Sequence, residues 1–341
     1  MTYVPLFKTT PYLLNLTDEA SALRTWIELA PLQLSWLPVL QKESRARNAH
    51  FSTSIEGNQL SLAQVKAADR GEKSGAPLVQ QQEVENYLKA MSWIEKHAKT
   101  AAINEAAVFE LHRIITKDLL PEEKRGRYKF KQNFIVDERG IRRHTPASPQ
   151  ETPRLTRELL AWLNSPETQK LHCIPACAIF HHRLVSIHPF SDGNGRLARA
   201  LCTLILYQRD FDLHHIFTLD EFFAGDRKKY YDKLEQARAL DDNLTAWIEY
   251  VAEGIVHTLK NVKGRIENLQ VTTDHPVNLS PRQEEALRLL RDNPTMRTNE
   301  LIEHLHVTRA RVNQLLTPMI ADGLIAKEGE SRATRYKLNI H

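Results

Sequence analysis

The residues His188-Pro189-Phe190-Ser191-Asp192-Gly193-Asn194-Gly195-Arg196, with Arg199 three positions further on, constrain this chain more than any other stretch. Helical spacing lies on both sides of them, with Ala176, Ile179, Phe180, Leu184, Val185 and Ile187 before and Leu197, Leu201, Leu204 and Ile205 after. The segment therefore reads as a tight loop that enters a helix, where unpaired N–H groups and the helix dipole favour an anion. Gly193 and Gly195 let the backbone approach a ligand with no Cβ in the way. An imidazole titrates near neutrality, so His188 can take a proton from a hydroxyl and return it. Asp192 offers a hard oxygen ligand to Mg²⁺. Arg196 and Arg199, at i and i+3, suit a forked grip on phosphates. Phe190, between His188 and Asp192, is expected to face the core. A lone Gly-x-Gly turn would carry little weight, but nine consecutive residues with interlocking chemistry carry a great deal.

His188 to Arg199 resembles the signature of the Fic family, HPFx(D/E)GNGRxxR, with no departure at any specified position. The resemblance implies a mainly α fold with a Fic-type helical core and a β-hairpin flap. It also implies protein AMPylation, the transfer of AMP from ATP to a hydroxyl side chain of a target protein with release of pyrophosphate. Carried over position by position, His188 is the base for the target hydroxyl and Asp192 holds Mg²⁺ on the phosphates. The Gly193-Asn194-Gly195 turn cradles the α-phosphate, while Arg196 and Arg199 meet the β- and γ-phosphates. Leu197 and Ala198, between the arginines, count with them as nucleotide-binding.

A second motif lies upstream. Phe51-Ser52-Thr53-Ser54-Ile55-Glu56-Gly57-Asn58 read alone is a helix end, since Gly and Asn terminate helices in a left-handed conformation. Beside the signature, Ser52-x-x-x-Glu56-Gly57 resembles the family's inhibitory motif, (S/T)xxxE(G/N). That implies a Glu56 carboxylate on Arg199 in place of the γ-phosphate, with Ser52 steadying the inhibitory helix. Residues 126–146 read as a short hairpin followed by a Pro-containing loop, and the resemblance makes it the flap that docks a target segment by strand addition. Asp226 to Leu234 resembles the family's tyrosine-pair helix, with Tyr231 at the position that packs on adenine. Where some relatives carry an asparagine seven residues on, this chain has Arg238. His112, His181 and His182 are expected to be structural.

Among 341 residues only 12 are glycine and 42% are hydrophobic, which suits helical packed cores. Together with the helical spacing, the resemblance implies three parts: an N-terminal helical region over 1–100 with the inhibitory helix, the Fic core over 101–260, and a unit over 277–341 that resembles a winged helix-turn-helix. In the first part Thr17 or Asp18 is expected to cap the first helix. In the last, Ser280-Pro281 starts a helix with Glu284 at the capping-box position. Arg309, Arg311 and Asn313 stand exposed at the start of a recognition helix, and Lys327, Arg332, Arg335 and Lys337 enrich the wing. Such a domain binds DNA in some proteins and serves dimerisation or protein docking in others; a homodimer is open on the same ground. The formal net charge of +4 tolerates nucleotides or DNA without choosing between them. Three cysteines make no disulfide framework, and Cys173 and Cys177 beside His172 read as core residues and not a zinc site. No apolar run approaches the ~18 residues of a membrane span, so the expectation is a cytoplasmic protein with no membrane partner. The sequence does not name the target protein, and self-modification is open. Rival readings are removal of AMP, transfer of another phosphate-containing group, or a nucleotide-sensing DNA-binding regulator.

Overall fold

The computed structural model describes residues 3–30, 37–72, 76–100, 102–136, 139–211, 215–269, 279–293, 295–329 and 334–338. The chain divides into two units, Met1–Glu28 with Gln41–Asn261, and Leu29–Leu40 with Val262–His341.

Helix α1 (Pro11–Leu29) starts earlier than Thr17 or Asp18. The Thr10 hydroxyl accepts the Leu13 N–H at 3.1 Å, and Pro11 follows as a preorganised first helical residue. Thr17 instead turns its hydroxyl back onto the Leu14 carbonyl. Helix α2 (Leu37–Ile55) continues through the basic stretch around Arg45 and Arg47, whose guanidiniums pair with Glu95 and Glu221. A capping box of Ser61 and Gln64 starts α3 (Leu62–Asp69), and Pro77 precedes α4 (Leu78–His97).

The centre of the first unit is α8 (Cys173–Ile187) packed along α9 (Asn194–Gln208). Both are apolar almost all round, as expected of helices buried on every side. Around them lie α4, α5 (Glu105–Ile115) and α6 (Thr152–Leu163), followed by the short α7 (Pro166–Lys170). Helices α10 (Leu219–Gly225), α11 (Arg227–Ala239) and α12 (Thr245–Leu269) come after α9. Helix α12 runs on to Leu269, and residues 270–278 lie outside the described residues.

The predicted hairpin is two short antiparallel strands, β1 (Ile135–Val136) and β2 (Arg142–His144), with Ile135 opposite His144 and Val136 opposite Arg142. So short a ribbon needs support, and His144 supplies part of it by donating from Nε2 to the Ser186 carbonyl of α8 at 2.9 Å.

In the second unit, α13 (Pro281–Asp292), α14 (Thr298–Leu305) and α15 (Arg309–Ala321) pack with a three-stranded antiparallel sheet. Its strands β3 (Met296–Arg297), β4 (Ile325–Glu328) and β5 (Arg335–Leu338) take the order β3-β5-β4. Leu290, Leu301, Leu305, Val312, Leu316 and Tyr336 are among its core residues. The capping box of α13 uses Gln283, not Glu284, because the third helical residue is the one whose side chain reaches back to the Ser280 N–H. Arg332 lies outside the described residues. Among the described residues no helix is long and apolar enough to cross a membrane.

Candidate active site

The loop between α8 and α9 is fixed by its own side chains. His188 ends α8 in the left-handed conformation, φ 52°, with its N–H on the Leu184 carbonyl. Its ring nitrogen Nδ1 lies 3.3 Å from the Val185 carbonyl, and since a carbonyl only accepts, the proton sits on Nδ1 and Nε2 is left as the acceptor. Burial pushes the imidazole down to about 4, with Lys129 and Arg238 adding to the shift, so the ring is neutral at pH 7. Phe190 is fully buried, and its ring stacks on His112 at 3.9 Å. Asn194 accepts the Phe190 N–H and returns a hydrogen bond to the Phe190 carbonyl, both at 2.9 Å. The Gly126 N–H donates to His112 Nδ1, which puts the His112 proton on Nε2, and Nε2 donates to the Asp192 carbonyl at 3.0 Å. His112 is thus structural, as expected, and its burial holds it neutral, with its value at about 4.

Gly193 caps α9 at φ 77°, where a Cβ would come 2.9 Å from the Thr116 methyl. At Gly195 a Cβ would collide with the Glu56 carboxylate and approach Arg199 Nη1 to 3.2 Å. The signature turn, Glu56 and Arg199 therefore meet at one point. Arg196 pairs with Glu83 at 3.0 Å and reaches Asp192 at 3.5 Å. Arg199 is buried and donates from Nη2 to Glu56 Oε1 at 2.7 Å. Burial works against the charged form of Glu56, but the Arg199 guanidinium outweighs it and holds the carboxyl below its usual range. The Ser52 hydroxyl accepts from Arg199 Nε and its carbonyl from Nη2, both at 2.9 Å, so the end of α2 is tied to Arg199 of α9. Behind the pair stands Asp220, 3.9 Å from Arg199 Nε and bonded by the Tyr87 hydroxyl at 3.1 Å.

His188, Asp192, Gly193, Asn194, Gly195, Arg196, Arg199, Glu56 and Tyr231 all line one open cavity of about 950 Å³. Leu197 and Ala198 are buried in the first turn of α9 and are not on its wall. The Tyr231 ring stands beneath the Arg227 guanidinium at 5.5 Å, whereas Tyr230 is buried with its hydroxyl 3.1 Å from His181 Nε2. Arg238, at the position expected to differ, lines the same cavity and donates to the Ser186 hydroxyl at 3.0 Å. The hairpin contributes Phe134, Ile135 and Val136 to the wall.

Residues 102–206 match the Fic/DOC family model. The chain carries a Fic domain. Residues 279–326 match a second model, described as winged helix-turn-helix DNA-binding. The chain is 30% identical over 222 residues to a protein adenylyltransferase Fic of Nematostella vectensis, covering 64% of this chain and 48% of that protein. Protein adenylyltransferase fic-1 of Caenorhabditis elegans is 27% identical over 257 residues, covering 72% and 47%. The chain thus spans about half the length of the curated relatives it matches. A solved structure of a Fic family protein from Desulfovibrio desulfuricans G20 aligns along 98% of both chains with a TM-score of 0.71 and 26% identity.

Around the Fic signature, sequence reasoning missed Glu83, Asp220, Tyr87, Lys129 and Asn133. Each lies far along the chain from its partner and carries no local motif. A buried arginine does predict that some carboxylate must meet it, but not which one.

Proposed function

We propose that the protein transfers AMP from Mg-ATP to a hydroxyl side chain of a target protein, and that Glu56 holds this activity down. The observation that carries the reading is the His188 imidazole, kept neutral with Nε2 as acceptor, on the wall shared with the Gly193-Asn194-Gly195 turn and Arg199. The target hydroxyl gives its proton to His188 Nε2 while its oxygen attacks the α-phosphorus. The bond to the bridging oxygen breaks, and pyrophosphate leaves. The loop N–H groups at the start of α9 and the two arginines offset the charge that spreads over the phosphates. The adenylyltransferase names of the relatives support the same chemistry.

The residues fit Mg²⁺ carried in with the nucleotide. The Asp192 side chain is 63% exposed at the cavity, and one carboxylate with substrate phosphate oxygens is an ordinary environment for this ion. Bound by Asp192, Mg²⁺ would supply charge neutralisation on the phosphates. Glu56 competes for the Arg199 guanidinium that a phosphate needs, and the 2.7 Å contact supports that role. A target strand docks on the hairpin, where Phe134, Val136 and Ile141 are exposed. The target is a protein supplied by the cell or a second copy of this chain, and the setting is the cytoplasm, in keeping with three free buried cysteines.

Label transfer from α-³²P-ATP by wild type, Glu56→Gly and Glu56→Gly/His188→Ala, alone and with lysate, tests the reading. Label with Glu56→Gly that vanishes in the double mutant supports it. No label in any lane overturns it, and release of AMP from a modified protein would then favour removal of AMP, with Glu56 orienting a water.

A second reading concerns the winged unit. Arg309, Arg311 and Asn313 are exposed at the start of α15, whose opposite face packs Val312, Leu315 and Leu316. That polarity suits a recognition helix in a DNA major groove.

A further inference from the structure

Two side chains between the catalytic loop and the hairpin make contacts that no step of the proposed transfer uses. Lys129 donates from its backbone N–H to the Pro189 carbonyl at 2.9 Å. Its ammonium donates to the Ile187 carbonyl at 3.3 Å and to Asn133 Oδ1 at 2.7 Å. Asn133 donates from Nδ2 to the Phe190 carbonyl at 2.9 Å. The carbonyls of residues 187, 189 and 190 bracket His188, whose own backbone is in the left-handed region that a residue with a Cβ enters at a cost. Such a conformation persists only where its surroundings over-determine it, and here three hydrogen bonds from one five-residue stretch reach the backbone around His188, while a fourth, from Lys129 to Asn133, braces the stretch itself. Lys129 is 4% exposed, and both partners of its ammonium are neutral. A lysine is seldom buried in this way without a carboxylate, which marks the site as built for position.

We propose that Lys129 and Asn133 are positioning residues: they lock the backbone around His188 and tie the base of the β1–β2 hairpin to it, so that one rigid joint sets both the docked target strand and the general base. The claim rests on His188 being the base. Lys129 also bears on the imidazole directly. The groups facing His188 are Lys129, Arg238 of α11, Glu56 just after α2 and the Val185 carbonyl of α8; the two cations disfavour the imidazolium, while the carboxylate and the carbonyl favour it. Burial pushes the Lys129 ammonium itself down to about 8.

The test uses the full chain carrying Glu56→Gly, with Lys129→Met, Asn133→Ala or Lys129→Arg added. Misplacing a base by about 1 Å costs on the order of 10²-fold in rate. The expected result is a kcat of AMP transfer lowered by about tenfold to 10²-fold for Lys129→Met and Asn133→Ala, with KM for ATP within about threefold of the parent. Lys129→Arg, which keeps the cation, should recover most of kcat. In parallel, the His188 ring is titrated by NMR, a readout that needs no transfer. Its pKa should rise in Lys129→Met as the neighbouring cation is removed. A His188 titration unmoved in Lys129→Met, or a kcat unchanged in both variants, overturns the joint. Should the Glu56→Gly parent transfer no AMP, the reading of the site fails on its own, and the ring titration still decides the joint.

Discussion

A guanidinium buried beside a carboxylate gains most where water is excluded, and Arg199 has Glu56 on one side with Asp220 behind it. Removing Glu56 frees a charge-assisted hydrogen bond of about 1.5–3 kcal/mol for a phosphate. Glu56→Gly should therefore raise AMP transfer by about tenfold or more, measured as initial rates of label incorporation. In the proposed transfer the glycine-rich turn and the arginines would bind phosphate without help from the imidazole. His188→Ala in the same background should accordingly abolish transfer while the Kd for ATP, read by calorimetry, changes by less than about threefold. Parallel loss of binding would contradict the role given to His188. Its neutral state also sets the acid limb of the rate. With the value at about 4, kcat/KM should hold down to roughly pH 5, not fall through the ordinary histidine range near 6.5.

At the level of elements, the loop from His188 to Gly193 has little regular structure, yet it is tied at almost every residue. Asn194 closes two of those ties on Phe190, and both are buried. Asn194→Ala leaves a buried N–H and a carbonyl with fewer partners, which costs about 1–3 kcal/mol, and urea denaturation should show that loss. The same reasoning separates the hairpin from the core. Its two-stranded ribbon has few ladder bonds of its own and depends on His144, Lys129 and Asn133 for placement. The winged unit is a separate element with its own core. Arg309→Ala with Arg311→Ala should weaken binding to duplex DNA and flatten its salt dependence by about one to two counterions, read by titrations at several salt concentrations. A salt slope equal to that of the wild type would exclude these residues from a DNA contact.

For the molecule as a whole, the buried histidines give stability a direction with pH. Burial lowers His112 to about 4 and His182 to about 3, below the ordinary value of 6.5 that the unfolded chain retains. Between roughly pH 6.5 and 4 the unfolded state therefore binds more protons than the folded one, and stability falls as the solution is acidified. Each of these two rings should cost about 2 kcal/mol by pH 5 relative to pH 7.5. Urea midpoints at the two pH values check this, and His112→Gln should reduce the difference.

The nine-residue signature carries its chemistry in consecutive residues, and the sequence alone located the loop, the helices that flank it, the Glu56 motif and the winged unit. Local order suffices there because turn residues, caps and helical spacing act over a few positions. Where two local signals competed, the earlier and stronger one won: Thr10-Pro11 over Thr17 for α1, and Gln283 over Glu284 for α13. Only the tertiary structure decided that Ser52 bonds Arg199, that Arg196 answers to Glu83, and that Lys129 and Asn133 grip the backbone around His188. Those pairs join residues 57 to 147 positions apart, or meet through carbonyls that every residue has. A buried charge dictates that a partner exists, but which distant side chain meets it is settled by how the helices pack.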